Sequence, residues 1–239
     1  MIKLYGSGTP NVFKVLFMLG ETGLDFELER VNVMAQEQFK PEFIALNPNS
    51  KVPVIVDSEG PGGKPHTVFE SGAILIYLAD KSGQFLPREP AARSTALQWL
   101  MWQMASVGPM FGQAVHFKYI APAGTDYPRQ RYMTEAHRLF GVLNARLSNN
   151  AYLAGAEFSI ADMATYPWTG KYFKTLGFDA ADFLHVADWV KRLEARPGLQ
   201  RVNDLATTLF KEGLVKQKQA DADSLDRFFG RGKYVTAGK

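Results

Sequence analysis

Three short stretches of the sequence carry residue types suited to chemistry. The first is Thr9-Pro10-Asn11. Thr9 suits a helix N-cap and Pro10 the first helical position, where its missing N–H costs nothing. The backbone N–H groups and dipole of such a helix start make an anion site. A hydroxyl and a carboxamide add side-chain donors there, and a bound thiolate would be stabilised with its pKa lowered. Capping by Thr9, with Asn11 a plain first-turn polar residue, accounts for the same pair. The second stretch is Val52-Pro53. A proline in a strand cannot donate to the ladder, so it needs an edge, a bulge or a turn. A cis bond here would leave the Val52 backbone to pair with an extended peptide; a trans proline on an edge strand is the plainer alternative. The third is Glu70-Ser71-Gly72. A helix starting at a capping Ser71 would hold a carboxylate, and Glu70 beside it an ammonium. A head group with both charges on one carbon fits that pair, although simple helix capping also explains it.

Other patterns exclude chemistry. The 239 residues include no cysteine, so any thiol that reacts must arrive on a ligand. The four histidines, His66, His116, His137 and His185, are scattered without metal-ligand spacing, and no metal is expected. Neither a phosphate loop nor a dinucleotide fingerprint is present. Ser159-Ile160-Ala161-Asp162 reads as a capping box with a structural role. Phe111, Gln113, His116, Tyr119, Tyr166, Trp168 and Tyr172 could line an apolar acceptor pocket. At helical spacing such residues are more often core, so only a fraction is expected to face a ligand.

The elements that must position these residues follow from periodicity and turn signals. Strands are expected over 2–5, 26–33, 52–56 and 67–69. A helix is expected from Thr9 to Gly23, a short one over 38–46, and one over 73–80 capped by Ser71. The order βαβ-ββα fits a small mixed sheet with helices on its faces. The segment 84–90 holds two prolines and no helical period, and reads as a linker. Beyond it strand signals vanish. Helices are expected over 91–107, 109–119, 129–147, 160–176, 183–195 and 199–211. The predicted organisation is α/β followed by all-α: a sheet domain over 1–83, a helical bundle over 91–211, and a polar tail over 212–239 that folds back across the bundle. Apolar residues are 46% and charged residues 21% of the chain, with a net charge of +3 and no basic run. This balance points to neither nucleic acid nor a membrane surface as partner. The first residues lack a signal peptide's apolar region, and no run approaches the ~18 apolar residues of a membrane span, so a cytoplasmic location is expected.

The order of the motifs is more specific than any one of them. Thr-Pro-Asn opening a helix, then Asn47-Pro48-Asn49-Ser50-Lys51-Val52-Pro53-Val54, then Phe69-Glu70-Ser71-Gly72-Ala73, then Ser159-Ile160-Ala161-Asp162, resembles the cytosolic glutathione transferases. The resemblance runs from about residue 2 to 210. Thr-Pro-Asn, the stretch 97–103 and the stretch 108–113 resemble the bacterial Nu class most.

That resemblance implies a thioredoxin-like N-terminal domain, glutathione as co-substrate, and a homodimer. It implies that Thr9 and Asn11 lie beside the glutathione sulfur, with Tyr5 and Ser7 as rivals for that place. Val52-Pro53 matches the family's cis-proline, whose preceding backbone pairs with the cysteinyl unit. Glu70 and Ser71 match the residues that hold the γ-glutamyl group, and Gln38 and Lys51 lie near the glycyl carboxylate. Arg131 matches an arginine that reaches a second glutathione from the partner subunit. Phe111, Gln113, His116, Tyr166 and Tyr172 are the expected acceptor pocket. The function implied first is thiol–disulfide exchange with a small disulfide. Removal of glutathione from an aromatic thioether and a non-catalytic binding module are the alternatives.

Overall fold

Thr9 begins the first helix as its N-cap, with extended backbone, and Gly23 ends it in the left-handed region, where a side chain would be strained. This helix, α1 (Pro10–Thr22), joins two strands, β1 (Ile2–Gly6) and β2 (Phe26–Arg30). The computed structural model describes residues 1–170 and 172–235. After a short helix α2 (Pro41–Leu46) come β3 (Val54–Asp57), β4 (His66–Phe69) and α3 (Ser71–Ser82). The sheet order is β2-β1-β3-β4, with β1 and β2 parallel and the other pairs antiparallel. Leu4 pairs with Leu28 on one side and Ile55 on the other. Both Val54 and Ile55 are buried, as expected of an inner strand covered on two faces. This is the thioredoxin-like arrangement that the motif order implies.

Several boundaries differ from expectation, and proline explains most of them. The strand expected over 52–56 starts only at Val54, because Pro53 has no N–H for the ladder. The helix expected over 38–46 is split. Gln38 sits in a 3-10 turn, Glu37–Phe39, and α2 starts at Pro41 after an extended Lys40, the conformation that a following proline imposes. The strand expected to reach residue 33 ends at Arg30, and Asn32 then caps another 3-10 turn, Val33–Ala35.

The chain divides into two units: residues 1–74 together with the described chain from Arg201, and Leu75–Gln200. This differs from the expected boundaries at 83, 91 and 211. The second unit is helical: α4 (Pro90–Trp102), α5 (Gly108–Tyr119), α6 (Asp126–Leu147), α7 (Ile160–Thr169), α8 (Tyr172–Leu176) and α9 (Leu184–Glu194). The helix expected over 91–107 closes in one π turn, Gln103–Val107, ahead of Pro109, which has no N–H to continue the regular ladder. The helix expected over 160–176 is α7 and α8, with residue 171 between them outside the described set. Phe140 stacks on Phe111 and Phe173 in the core of this unit. The expected linker 84–90 is not a free tether: Leu86 is buried, Phe85 packs edge-on to Phe158, and the Ile160 N–H donates to the Phe85 carbonyl.

The tail also departs from expectation. α10 (Pro197–Gln219) runs well past residue 211 and is followed by α11 (Ala222–Phe229), capped by Asp221. From Arg201 onward its partners lie in the first unit. Arg201 donates to the Gly20 carbonyl at 3.1 Å, Arg30 pairs with Glu212, and the Gln36 amide donates to the Ser224 carbonyl. Arg227 lies over the Phe39 ring. Within the first unit the tail packs on the 3-10 turns after β2. The polar segment carries Leu225, Phe228 and Phe229 at helical spacing, which gives it an apolar side to dock.

Candidate active site

The start of α1 combines capping and donation. Thr9 Oγ1 accepts the Val12 N–H at 3.3 Å. That bond uses an oxygen lone pair and not the O–H, so capping and donation to a ligand are compatible on one hydroxyl. Asn11 follows on the first turn and is partly exposed. Close packing fixes the backbone just before the cap. A Cβ on Gly8 would lie 2.1 Å from the Leu209 carbonyl oxygen, so α10 can approach only a glycine. Of the rivals, Tyr5 is committed to a small cluster with Val31, Phe43 and Val54, its ring edge-on to Phe43. Ser7 has a buried Oγ with no partner among the described residues.

The next pieces come from the turn before β3. Asn47 is buried and organises it. Its Nδ2 donates to the Lys51 carbonyl at 2.7 Å, and its Oδ1 accepts the Asn49 N–H at 2.9 Å. This holds Lys51, which is exposed, next to Val52-Pro53, whose peptide bond is cis. Gln38 is buried. Its Nε2 donates to the Val33 carbonyl, which uses one of two N–H groups, and its Oε1 has no partner among the described residues. A ligand can satisfy both remaining positions.

Ser71 was expected to be the cap of α3. It is instead the first helical residue, and the Glu70 carbonyl accepts the Ile74 N–H. Glu70 has φ +69°, in the region that favours glycine, which is a strained choice for a glutamate. Its exposed carboxylate accepts from Asn49 Nδ2 at 3.3 Å, tying this turn to the previous one. Ser71 is buried with Lys14 Nζ 3.3 Å from its Oγ. Lys14 stands amid nine consecutive buried residues of α1, Val12 to Gly20. Burial pushes its ammonium down to about 7, against a pull upward from the Glu70 charge. Sequence reasoning passed over Lys14. The signal available was a lone lysine inside an apolar helical run.

Thr9, Asn11, Gln38, Lys51, Val52, Pro53, Glu70 and Ser71 all belong to the first unit, whereas the expected acceptor residues and Arg131 belong to the second. Within that second unit, Phe111 is fully buried against Phe140 and belongs to the core. Tyr166 is also buried, its hydroxyl donating to Glu194 at 3.4 Å, and burial with that carboxylate pushes its pKa up. Tyr172 tilts against Trp168, and burial pushes its hydroxyl up to about 12, so it is a proton donor at neutral pH. His116 is partly exposed and edge-on to Phe117, and Gln113 is exposed. Arg131 is exposed on α6 beside Glu135. Among the described residues no group of His, Asp and Glu could hold a metal ion, and no helix is long and apolar enough to cross a membrane.

A thioredoxin-like sheet with a Thr9-capped helix start, a cis-proline turn and a Glu-Ser helix entry is the arrangement of a class of glutathione-binding protein. The chain belongs to the glutathione S-transferase family: the N-terminal domain of that family matches residues 1–80 and its C-terminal domain residues 107–197. It is 45% identical over 198 residues to the disulfide-bond oxidoreductase YfcG of Escherichia coli, covering 82% of this chain and 92% of that protein. A Burkholderia graminis glutathione transferase with two glutathione molecules bound per subunit is 45% identical, with a TM-score of 0.78 over 84% of this chain and 86% of its own. A Pseudomonas putida glutathione transferase with one glutathione disulfide bound per subunit is 43% identical, with a TM-score of 0.78 over 84% and 89%.

Proposed function

We propose that this protein catalyses glutathione-dependent thiol–disulfide exchange, with glutathione as co-substrate. The observation that carries the reading is Thr9 at the head of α1, which caps the helix and still has an O–H to donate. A glutathione sulfur seated there would meet that O–H, the Asn11 amide and the positive end of the helix dipole, all of which favour the thiolate. The thiolate attacks one sulfur of a small disulfide. A new S–S bond forms, the old one breaks, and the departing thiolate takes the electron pair. A second glutathione thiolate repeats the step on the mixed disulfide, giving glutathione disulfide and the second thiol. With no cysteine in the chain, the protein itself carries no mixed disulfide. Its contribution is alignment and stabilisation of the attacking and leaving thiolates. The name of the Escherichia coli relative and the two ligand states of the solved relatives support this sequence of steps.

In this reading the Val52 backbone pairs with the cysteinyl unit, Glu70 and Ser71 take the ammonium and carboxylate of the γ-glutamyl group, and Gln38 and Lys51 take the glycyl end. The protein acts as a cytoplasmic homodimer of the Nu class, and Arg131 reaches the second glutathione from the neighbouring copy. Tyr172, His116 and Gln113 are the acceptor-side candidates that the core has not absorbed. A paired assay with free glutathione tests the reading. One arm offers 2-hydroxyethyl disulfide, the other an aryl glutathione thioether. Turnover of the disulfide alone is expected. Turnover of the thioether alone, with glutathione disulfide and the protonated aryl product, would replace the reading with thioether cleavage. Glutathione binding with turnover in neither arm would leave a binding module.

A further inference from the structure

We infer that Phe210 and Leu214 of α10 are specificity-determining residues: they form an acceptor subsite within the first unit, which receives the apolar group of an alkyl or aryl disulfide beside Thr9. The inference rests on the reading that the glutathione sulfur sits at Thr9. The acceptor candidates named so far all stand in the second unit. The geometric basis is the close contact between α10 and the turn that leads into α1. A Cβ on Gly8 would lie 2.7 Å from Phe210 Cα, and a Cβ on Gly213 would lie 3.9 Å from Gly8 Cα. The α10 backbone at Phe210 therefore rests on the residue next to Thr9, and consecutive Cα atoms are only about 3.8 Å apart.

Helical spacing sorts the side chains of α10 into faces. Val202, Ala206 and Leu209 are buried and hold the helix down. On one flank Arg201 donates to the Gly20 carbonyl and Glu212 pairs with Arg30. Phe210 and Leu214 lie on the other flank, one turn apart, and are 46% and 44% exposed. One exposed apolar side chain is ordinary. Two in line, bordering the turn that carries Thr9, make an apolar strip at the edge of the candidate site. Thr9 and Asn11 are themselves partly exposed, so strip and site are open to the same solvent. The hydroxyl and the carboxamide serve the charged sulfur, whereas the strip offers only carbon. When the glutathione thiolate attacks a disulfide, the new S–S bond forms and the departing thiolate takes the electron pair. An alkyl or aryl group on the attacked disulfide gains apolar contact on the strip, and a hydroxylated group gains less because it must shed water there.

The experiment compares kcat/KM of the full-length protein for dibutyl disulfide and 2-hydroxyethyl disulfide, with free glutathione and the uncatalysed rates subtracted. Wild type is expected to favour the dibutyl compound. Phe210→Ala and Leu214→Ala should each cut the ratio of the two kcat/KM values by about five- to ten-fold, and the double variant by more. The intrinsic reactivity of each disulfide is the same for every variant, so the change in ratio reports the protein alone. Val215→Ala alters an exposed apolar residue one position further round α10 and should keep the wild-type ratio. All three side chains are exposed, so the variants are expected to fold. If one of the two strip variants does not fold, the other decides. A ratio unchanged in Phe210→Ala and Leu214→Ala overturns the inference, as does an equal fall in Val215→Ala. An unchanged ratio with an altered oligomeric state on size-exclusion chromatography would make the strip a contact between copies. Turnover of neither disulfide by wild type is a separate outcome: it removes the disulfide reading itself, and the subsite with it.

Discussion

Thr9 caps α1, and the proposed function gives the same side chain a chemical role; substitutions can separate the two. Thr9→Ala removes both the lone pair that caps α1 and the O–H that the proposed reading assigns to the glutathione sulfur; the lost cap alone costs about 1 kcal/mol. Thr9→Ser keeps both groups and is expected to keep turnover. Asn11→Ala removes a donor without touching the cap. Thr9→Ala and Asn11→Ala should therefore each lower kcat for disulfide reduction by about ten- to a hundred-fold, with a smaller change in glutathione affinity, because they act on a charge that develops during the reaction. Glu70→Ala should do the reverse and weaken binding by more than about ten-fold, since it leaves an ammonium without its partner. Steady-state kinetics beside direct binding measurements separate the two patterns. Unchanged kcat in both single variants and in the double variant would place the sulfur elsewhere, with Ser7 the next residue to test.

At the scale of elements, the legible parts were those decided by local chemistry. The helix start at Thr9-Pro10 and the box at Ser159–Asp162 depend on residues three or four apart, and both could be read directly. Gln38 was misplaced onto a helix although Pro41 stood in the sequence to break it. For Lys14 the sequence offered only a lone lysine in an apolar run; its burial depends on what packs around α1, and the approach of Leu209 to Gly8 likewise depends on packing. The Asp162 box turned out to do more than cap α7. Its carboxylate accepts from the Leu153 and Ser159 N–H groups, the Ser159 hydroxyl and the Trp189 indole, all within 3.1 Å. Asp162→Ala leaves buried donors without a partner and is expected to cost about 3–5 kcal/mol, whereas Asp162→Asn keeps one acceptor oxygen and should cost less. Burial pushes this carboxyl up to about 6, above its ordinary value of 3.8. Its share of stability is therefore complete below about pH 4 and lost as pH rises through 6, when the folded state must hold a buried charge. Denaturant unfolding at pH 4 and pH 7 should show the gap between wild type and Asp162→Asn wider at the lower pH. A gap that widens instead towards pH 7 would mean that the four hydrogen bonds outweigh desolvation.

At the scale of the whole molecule, residues 1–74 and the described residues from Arg201 onward form one unit, separated in sequence by the helical unit. α11 therefore supports the segment after β2. α11 touches the segment that holds Gln38 through the Gln36–Ser224 hydrogen bond and the Arg227–Phe39 contact, and Arg231 and Asp226 pair to close the helix. One hydrogen bond and one cation–π contact are each worth about 1 kcal/mol, so deleting residues 220–239 should remove roughly 2 kcal/mol of local protection. Hydrogen exchange measured on the full chain and on the truncated one tests this. Amides of residues 32–40 should exchange about ten- to thirty-fold faster after truncation, while those of α6 keep their protection. Because Gln38 sits on the loosened segment, glutathione affinity should fall several-fold with kcat nearly unchanged, since Thr9 and Asn11 stand on α1, outside the contacts removed. Equal acceleration in α6 would show that truncation destabilises the chain globally. Unaltered exchange at 32–40 would show that α11 rests on that segment without holding it.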